Sequence, residues 1–294
     1  MILRAANVGE LVSSFLTHRS EGRVRRVFRS SAYIEAEDEV ILLLRGELRS
    51  PMTVNLWAAD DFERLLAIDE RCDLGLGRLE FERMTVRTEG ASVYRGGLER
   101  DSSIAPQAGS ELVRGILMLR LLYRASQSTL DIVTDGSFRQ FINTVLLPLA
   151  EGEMADAYLP RNYFPLIGKG GGFTPAGDDF VGGFAAAFNH VARKTGVREI
   201  RLPRNELEKR TVPESAALID YAQRGYVDEE VERLIISAFG GGPGFFDKLL
   251  QVARRGHTSG IDMSSGVVLS AAVCRDRMTR EGTLEKCLSA LTNS

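Results

Sequence analysis

The residues best placed to do chemistry lie near the middle of the chain, where residues 168–180 read GKGGGFTPAGDDF. Thr174 followed by Pro175 predicts a helix that begins at about residue 175, because threonine caps free amides and proline suits the first helical turn. Glycines allow a sharp turn before it, and the free N–H groups of a helix start attract anions. The pattern predicts a phosphate or carboxylate site. The alternative is a tight buried turn, with Asp178 and Asp179 only favouring the positive end of the helix dipole.

Two more glycines, Gly182 and Gly183, lie inside this predicted helix. Each should cost about 1 kcal/mol relative to alanine, so we expect another segment to pack very close to the helix. The loop matches neither well-known phosphate motif. Lys169 precedes three glycines instead of ending the loop as GK[ST], and Phe173 occupies the third-glycine position of the dinucleotide pattern. No nucleotide is predicted from these motifs.

The adjacent carboxylates Asp178 and Asp179 resemble a metal-binding pair. Neighbouring residues on a helix point about 100° apart, so we expect at most one of them to face a given ligand. A magnesium ion would then need other carboxylates or substrate phosphate oxygens. We therefore predict no metal site and no cofactor, and keep magnesium as an alternative.

Two further glycine-rich loops precede predicted helices: residues 240–244 (GGGPG) and residues 256–262 (GHTSGID), the latter followed by Gly266. Converging helix starts would hold an anion jointly. His257 is suited to act as an acid, a base or a carbonyl polariser, and otherwise fixes its loop by a backbone hydrogen bond. Arg210 is suited to clamp a carboxylate or phosphate, and otherwise is a surface cation.

The composition is that of a globular protein that is neither a membrane protein nor strongly basic. Of 294 residues, 44% are hydrophobic and 26% charged, and the formal net charge is -3. No global positive field attracts nucleic acid or a membrane surface. The three cysteines lack CxxC spacing, and neither a signal peptide nor a long apolar segment is recognised. We expect a cytoplasmic protein that binds neither nucleic acid nor membrane.

The elements that must position these loops change type along the chain. Asn7 and Glu10 resemble a capping box at the start of a short helix. Alternating apolar residues then predict strands over residues 24–29, 32–37, 40–45, 53–57, 78–88 and 92–94, with a bulge near Glu82 and Arg83. These strands predict a curved sheet or small barrel. The linker-like residues 101–109 suggest one domain over residues 1–105 and a second over 106–294.

The second domain has helical periodicity and carries the glycine-rich motifs. Helices are predicted over residues 110–123, 137–147, from 175, and over 214–223, 228–238, 245–254 and 263–277. Ser137 with Gln140 forms a capping-box pattern at the start of the second of these. The predicted fold class is therefore α+β, with a β-rich N-terminal domain and a mainly α-helical C-terminal domain.

Residues 170–180, Arg210 with Thr211 and Ser215, and residues 256–262 together resemble the family that includes the AllH subunit of oxamate carbamoyltransferase. The resemblance implies a subunit that works with two others in anaerobic allantoin breakdown. Together they convert oxalurate and phosphate into oxamate and carbamoyl phosphate. Ordinary transcarbamoylases use an SxRT phosphate loop, which this sequence lacks, so a different scaffold is implied.

Combined with the local patterns, the resemblance gives two sets of candidate residues. The catalytic candidates are His257, Arg210, Asp178 and Asp179. The candidates for binding the anionic substrate are Gly170, Gly171, Gly172, Thr174, Gly177, Ser259, Gly260 and Asp262.

Two other functions remain open from the sequence: a non-catalytic binding or assembly subunit, and a Mg²⁺-dependent phosphate- or nucleotide-binding enzyme. The expected partners are a small anionic substrate and other carbamoyltransferase subunits, and a homo-oligomer is left open. The sequence decides neither the substrate, nor activity in isolation, nor which of Asp178 and Asp179 faces the site.

Overall fold

The computed structural model describes residues 1–37, 39–57, 61–96, 98, 104–125, 136–152, 165–240, 244–256 and 258–292. The chain divides into two compact units, Met1–Gly97 with Val227–Glu229 and Leu98–Tyr226 with Glu230–Ser294. The first is β-rich and the second mainly helical, which confirms the predicted α+β class. The domain boundary at residues 105 and 106 stays a prediction.

The first unit is built on a ten-stranded sheet with the order β1-β9-β8-β7-β3-β4-β5-β6-β2-β10. Its strands are β1 Ile2–Arg4, β2 Asn7–Gly9, β3 Ser20–Val27, β4 Ser31–Ala36, β5 Glu39–Arg45, β6 Thr53–Leu56, β7 Arg71–Gly75, β8 Arg78–Glu80, β9 Thr85–Arg87 and β10 Ser92–Tyr94. Two short helices accompany it, α1 Glu10–Phe15 and α2 Phe62–Leu65.

The sheet must curl, because its two ends are built from the same stretch of backbone. Strands β1 and β2 are separated only by Ala5 and Ala6, yet β1 pairs with β9 at one end and β2 pairs with β6 and β10 at the other. Ala5 N–H donates to Arg87 O and Ala6 N–H donates to Asn55 O, each at 2.8 Å. The result is a curled half-barrel whose interior holds an apolar core, which agrees with the predicted curved sheet.

Two local predictions in this unit are wrong. Asn7 does not cap a helix. It lies in β2, its side-chain amide donates to Ser92 O at 2.9 Å, and α1 begins at Glu10 after Gly9. Pairing with distant strands outweighs the local capping pattern, because Asn7 gains both backbone pairing in the sheet and a side-chain hydrogen bond.

Residues 78–88 are not one bulged strand but the two antiparallel strands β8 and β9. Phe81 N–H donates to Met84 O at 2.8 Å, so the chain reverses through Glu82 and Arg83. The phase slip in the apolar pattern was a real signal, but it marked a tight turn.

The described helices of the second unit are α3 Gly109–Ala125, α4 Gly136–Phe141, α5 Leu147–Glu151, α6 Ala176–Thr195, α7 Arg204–Leu207, α8 Pro213–Arg224, α9 Glu229–Gly240, α10 Phe245–Ala253, α11 Ser259–Thr279 and α12 Thr283–Thr292. A π-helical segment, Ile142–Leu146, joins α4 to α5. Ser137 therefore lies inside the first turn of α4 and not at its cap. Helix α11 starts at Ser259, four residues before the predicted start at 263.

Helices α6 and α11 form the centre of this unit, and both are buried almost all round. A Cβ added to Gly183 would lie 2.2 Å from Met263 O, and one added to Gly266 would lie 2.2 Å from Phe180 O. The two backbones thus touch where the glycines face each other. This confirms the expectation of close packing for Gly183. Gly182 has no such neighbour, because its added Cβ would meet only Ala222 Cβ at 3.9 Å.

The two neighbouring glycines give a matched test of this contact. We expect Gly183→Ala to lower the free energy of unfolding by at least about 1–3 kcal/mol, because the methyl group must push two backbones apart. We expect Gly182→Ala to leave stability unchanged or raise it by up to about 1 kcal/mol through helix propensity. Urea unfolding of both variants measures the difference, and equal effects would refute a backbone contact at Gly183.

Candidate functional site

The glycine loop before α6 folds against the segment that precedes α8. Gly168 has a φ of +77°, and a Cβ at this position would lie 2.2 Å from Arg210 O. A larger residue would suffer both an unfavourable backbone conformation and a clash. The loop is therefore fixed next to Arg210 and Thr211, although these two residues are distant from it in the sequence.

Asp178 holds these two segments together. Its Oδ1 accepts a hydrogen bond from Gly168 N–H at 2.7 Å, and its Oδ2 accepts one from the Thr211 hydroxyl. The side chain is buried, and burial raises its pKa despite the hydrogen bonds from Thr211 and Gly168, which oppose the rise. Both carboxylate oxygens are thus engaged within the chain, which gives Asp178 a structural task.

Asp179 points to a different neighbour, the start of α11. Its Oδ2 accepts a hydrogen bond from the Thr174 hydroxyl at 2.9 Å, and that hydroxyl oxygen lies 3.2 Å from the hydroxyl oxygen of Ser259. Burial raises its pKa to about 7, although Ser259, Thr174 and Arg255 oppose the rise. The two aspartates therefore have separate partners, as their helical spacing predicted.

Thr174 does not cap α6. The residue before the helix is Pro175, and no side chain caps the helix start. The Thr174 hydroxyl serves Asp179 and lies 3.2 Å from the Ser259 hydroxyl oxygen. This contact brings the starts of α6 and α11 together, and since Gly183 also faces Gly266, the two helices run in the same direction.

Both helices begin in the same way. The second residue of each is a glycine whose added Cβ would lie 2.0 Å from a carbonyl oxygen, Leu166 O for Gly177 and Val252 O for Gly260. The sequences share the pattern Gly-x-Asp-x-x-x-Gly, which runs to Gly183 in one helix and to Gly266 in the other. The similarity seen in the sequence thus corresponds to a packed pair of equivalent helix starts.

Asp262 occupies in α11 the position that Asp179 occupies in α6. Only 2% of it is exposed, and burial raises its pKa to about 8. Its Oδ2 is buried and has no hydrogen-bond partner among the described residues. The predicted role of Asp262 in anion binding stays a prediction.

A basic cavity of about 640 Å³ opens beside the glycine loop. Its lining residues are Ser137, Pro165, Ile167, Gly168, Lys169, Lys209 and Arg210. Lys209 forms an ion pair with Glu206, whereas Lys169 forms none within the part of the chain that the structure describes. Sequence reasoning selected Arg210 but not the two lysines. Lysines in loops are too common to be selected without knowledge of what they face.

The other predicted residues are placed as follows. Gly170 packs against the start of α6, where its added Cβ would lie 2.8 Å from Ala176 Cβ, while Gly171 and Gly172 are exposed in the same loop. His257 lies outside the described residues, as do 241–243 of the loop before α10. The described residues contain no group of three or more Asp, Glu, His or Cys side chains arranged to hold a metal ion.

His190 is buried in α6 and has a structural role. Its Nδ1 lies 2.7 Å from Leu98 O, and because a carbonyl only accepts, Nδ1 carries the proton. Burial lowers the pKa of His190 to about 4. The ring is therefore neutral at physiological pH.

No helix in the described residues combines the length and apolar character needed to cross a membrane.

Comparison with known proteins gave one match. The family model of oxamate carbamoyltransferase subunit AllH matches residues 166–271, about a third of the chain. This confirms the resemblance based on the glycine-rich motifs. The matched segment runs from the loop before α6 to beyond the glycine contact in α11, so it contains both helix starts and Arg210. Neither the curated proteins nor the solved structures gave a significant match.

The raised pKa of Asp262 predicts a pH-dependent effect on stability. The folded chain keeps a proton on this group up to about pH 8, whereas the unfolded chain loses it near the ordinary value of 3.8. The free energy of unfolding therefore decreases as the pH rises from the lower to the higher of these two pKa values. We expect Asp262→Asn, which cannot ionise, to raise the free energy of unfolding by an amount that grows with pH, on the order of 1 kcal/mol or more above pH 8.

Urea unfolding from pH 4 to pH 9 measures this effect. Asp247→Asn is the matched control, because Asp247 is exposed in the first turn of α10 and should give no comparable pH-dependent gain. A gain for Asp262→Asn that is equally large at pH 4, or a loss that grows with pH, would contradict the assignment.

Proposed function

We propose that this chain is a subunit of a carbamoyltransferase-type enzyme that acts on small anionic substrates in the cytoplasm, together with other subunits. The reaction would convert oxalurate and phosphate into oxamate and carbamoyl phosphate, as a step of allantoin, and hence purine, catabolism. The match to the AllH family over residues 166–271 supports this proposal, because that family is named for a subunit of oxamate carbamoyltransferase.

The observation that carries the proposal is the meeting of two long helix starts. The Thr174 and Ser259 hydroxyl oxygens lie 3.2 Å apart, so the positive ends of α6 and α11 act on the same region. Negative charge is favoured near the positive ends of helix dipoles. Oxalurate, oxamate and phosphate are all anions.

The basic cavity supplies the charges that such substrates need. Arg210 presents a planar guanidinium group that suits a carboxylate or phosphate, while Lys169 adds a compact charge from the loop. We assign the anionic end of the substrate to this cavity. Gly170, Gly171 and Gly172 continue the same loop and would offer backbone N–H groups to it.

The reaction also requires a proton transfer. A phosphate oxygen attacks the carbamoyl carbon of oxalurate, a C–O bond forms, and the C–N bond to the oxamate nitrogen breaks. That nitrogen must gain a proton as it leaves. His257 is our candidate for this transfer or for polarising the carbonyl, on the basis of its residue type and its place in the GHTSG motif.

A non-catalytic assembly subunit is the second candidate, favoured by the behaviour of Asp178. Its Oδ1 accepts a hydrogen bond from Gly168 N–H and its Oδ2 accepts one from the Thr211 hydroxyl, which is the pattern of a structural residue. Separate substitution of Asp179 and His257 distinguishes the two candidates. An assembly subunit would keep any activity of the complex after either change, whereas a catalytic one would lose it.

The direct test is enzymatic. We expect the purified chain, alone or with candidate partner subunits, to cleave oxalurate only when phosphate is present, with carbamoyl phosphate as product. Coupling carbamoyl phosphate to a colorimetric assay measures the rate, and omission of phosphate is the control. Absence of cleavage in every combination would rule out the proposed reaction.

The role of the cavity is tested by phosphate binding. We expect Lys169→Gln and Arg210→Gln each to weaken binding of inorganic phosphate about 10-fold or more, as loss of a charge-assisted contact does. Lys286→Gln removes an exposed lysine outside the cavity lining and should change nothing. Calorimetry at low ionic strength measures all three. Equal affinities for the variants and the natural chain would place the anion elsewhere.

A further inference from the structure

The walls of the basic cavity come from two segments that are distant in the chain. Gly168 and Lys169 belong to the loop before α6, whereas Lys209 and Arg210 belong to the turn after α7. An anion that contacts Lys169 and Arg210 together needs these two side chains at a fixed separation, because charge-assisted hydrogen bonds weaken steeply when their geometry is poor. The contacts that hold the two walls therefore decide how well the cavity binds an anion.

The first turn of α6 holds the loop wall. Gly177 N–H donates to Lys169 O at 2.9 Å, and Lys169 N–H donates to Leu166 O at 3.1 Å. A Cβ added to Gly177 would lie 2.0 Å from Leu166 O, so the loop lies directly against the helix backbone. The backbone of Lys169 is thereby fixed relative to α6.

The opposite wall is a turn folded onto the end of α7. Arg210 N–H and Thr211 N–H both donate to Leu207 O, at 2.8 Å and 3.1 Å. These two bonds fix the shape of the turn but do not attach it to α6. The Thr211 hydroxyl supplies such an attachment, because it donates to Asp178 Oδ2.

Asp178 joins the two walls through its two oxygens. Its Oδ1 accepts the hydrogen bond from Gly168 N–H at 2.7 Å. Gly168 directly precedes Lys169 and Thr211 directly follows Arg210, so each carboxyl oxygen binds next to one cavity cation. Asp178 is 2% exposed and lies in the first turn of α6. A side chain enclosed in close packing has little freedom to move, so Asp178 suits a fixed reference for both walls.

The chemistry of Asp178 points to an indirect role. Asp178 is not among the residues that line the cavity, and a carboxylate repels an anion. Its effect on a bound anion therefore passes through Gly168 and Thr211. A carboxyl group suits this task, because its two acceptor oxygens can take an N–H from one wall and an O–H from the other.

We propose that Asp178 is a positioning residue for the basic cavity. By accepting hydrogen bonds from Gly168 N–H and the Thr211 hydroxyl, it sets the separation of Lys169 and Arg210 and thereby the affinity of the cavity for an anion. The inference rests on the proposed function, in which this cavity holds the anionic end of the substrate. Asp178 thereby changes from a catalytic candidate to a residue that acts through its neighbours.

A matched pair of substitutions at Thr211 tests this proposal. Thr211→Val removes the hydroxyl group and keeps the shape of the side chain, and we expect it to weaken binding of inorganic phosphate about 5-fold or more. Thr211→Ser keeps the hydroxyl group and should stay within about 2-fold of the natural chain. Calorimetry at low ionic strength, on the full chain alone, measures both affinities.

Ser237→Ala is the control for a purely structural effect. The Ser237 hydroxyl is buried in α9, outside the cavity lining, and donates to Leu234 O at 2.9 Å. Its loss should lower the free energy of unfolding, as the loss at Thr211 does, but leave phosphate affinity unchanged. Urea unfolding of each variant measures the stability.

Amide hydrogen exchange of the natural chain gives a second measurement, which holds even if Thr211→Val does not fold. Binding equilibria are reciprocal, so phosphate must stabilise the closed Asp178 contacts if these contacts raise phosphate affinity. We expect saturating phosphate to slow the exchange of Gly168 N–H. Unchanged exchange would overturn the positioning role.

The outcomes separate this inference from the proposed function, because phosphate binding needs neither oxalurate nor another subunit. If folded Thr211→Val binds phosphate as tightly as the natural chain, the positioning role is overturned, whatever the enzymatic assay gives. Equal losses of affinity in Thr211→Val and Ser237→Ala would overturn it too, since general destabilisation would then explain both. If the affinities follow the expectation but no combination of subunits cleaves oxalurate, the carbamoyltransferase reaction falls and the positioning role stands.

Discussion

The direct backbone contact between α6 and α11 is the constraint on which the candidate site depends. Gly183 and Gly266 bring carbonyl oxygens to within 2.2 Å of where a Cβ would stand, so no other residue fits without moving a helix. Because the helices run in the same direction, this contact also sets their starts side by side. The loops before them, separated by about eighty residues in the chain, thereby come together.

The same packing explains why carboxyl groups are buried there. Side chains one turn before the glycines are enclosed between two closely packed helices, where a charge is poorly solvated. Asp179 meets this condition by accepting a hydrogen bond from the Thr174 hydroxyl. Asp262 Oδ2 has no hydrogen-bond partner among the described residues, and strongly perturbed buried carboxyl groups cluster at functional sites in general. The stability loss that we expect at Asp262 is of the kind that functional sites commonly carry.

Local sequence signals predicted most elements but not their partners. The alternation in residues 78–88 revealed extended structure, yet whether a phase slip is a bulge or a turn depends on which strand lies alongside. Strand β7 alternates buried Cys72 and Leu74 with exposed Arg71 and Asp73, a signal that was present but short. Asn7 carried a valid capping pattern that a distant strand overrode. Thr174 and Pro175 marked the helix start correctly, but the hydroxyl was drawn to Asp179.

The sequence by itself determined the fold class, the start of α6, the family resemblance and the separate directions of Asp178 and Asp179, because each follows from short-range periodicity or from a motif. The tertiary structure decided which groups meet. It placed Arg210 beside Gly168, joined Thr174 to Ser259 and gathered Lys169 and Lys209 at one cavity. Among the described residues it left Asp262 Oδ2 without a hydrogen-bond partner. These relations depend on how two helices pack at a pair of glycines, and packing between distant segments is not encoded in any local pattern.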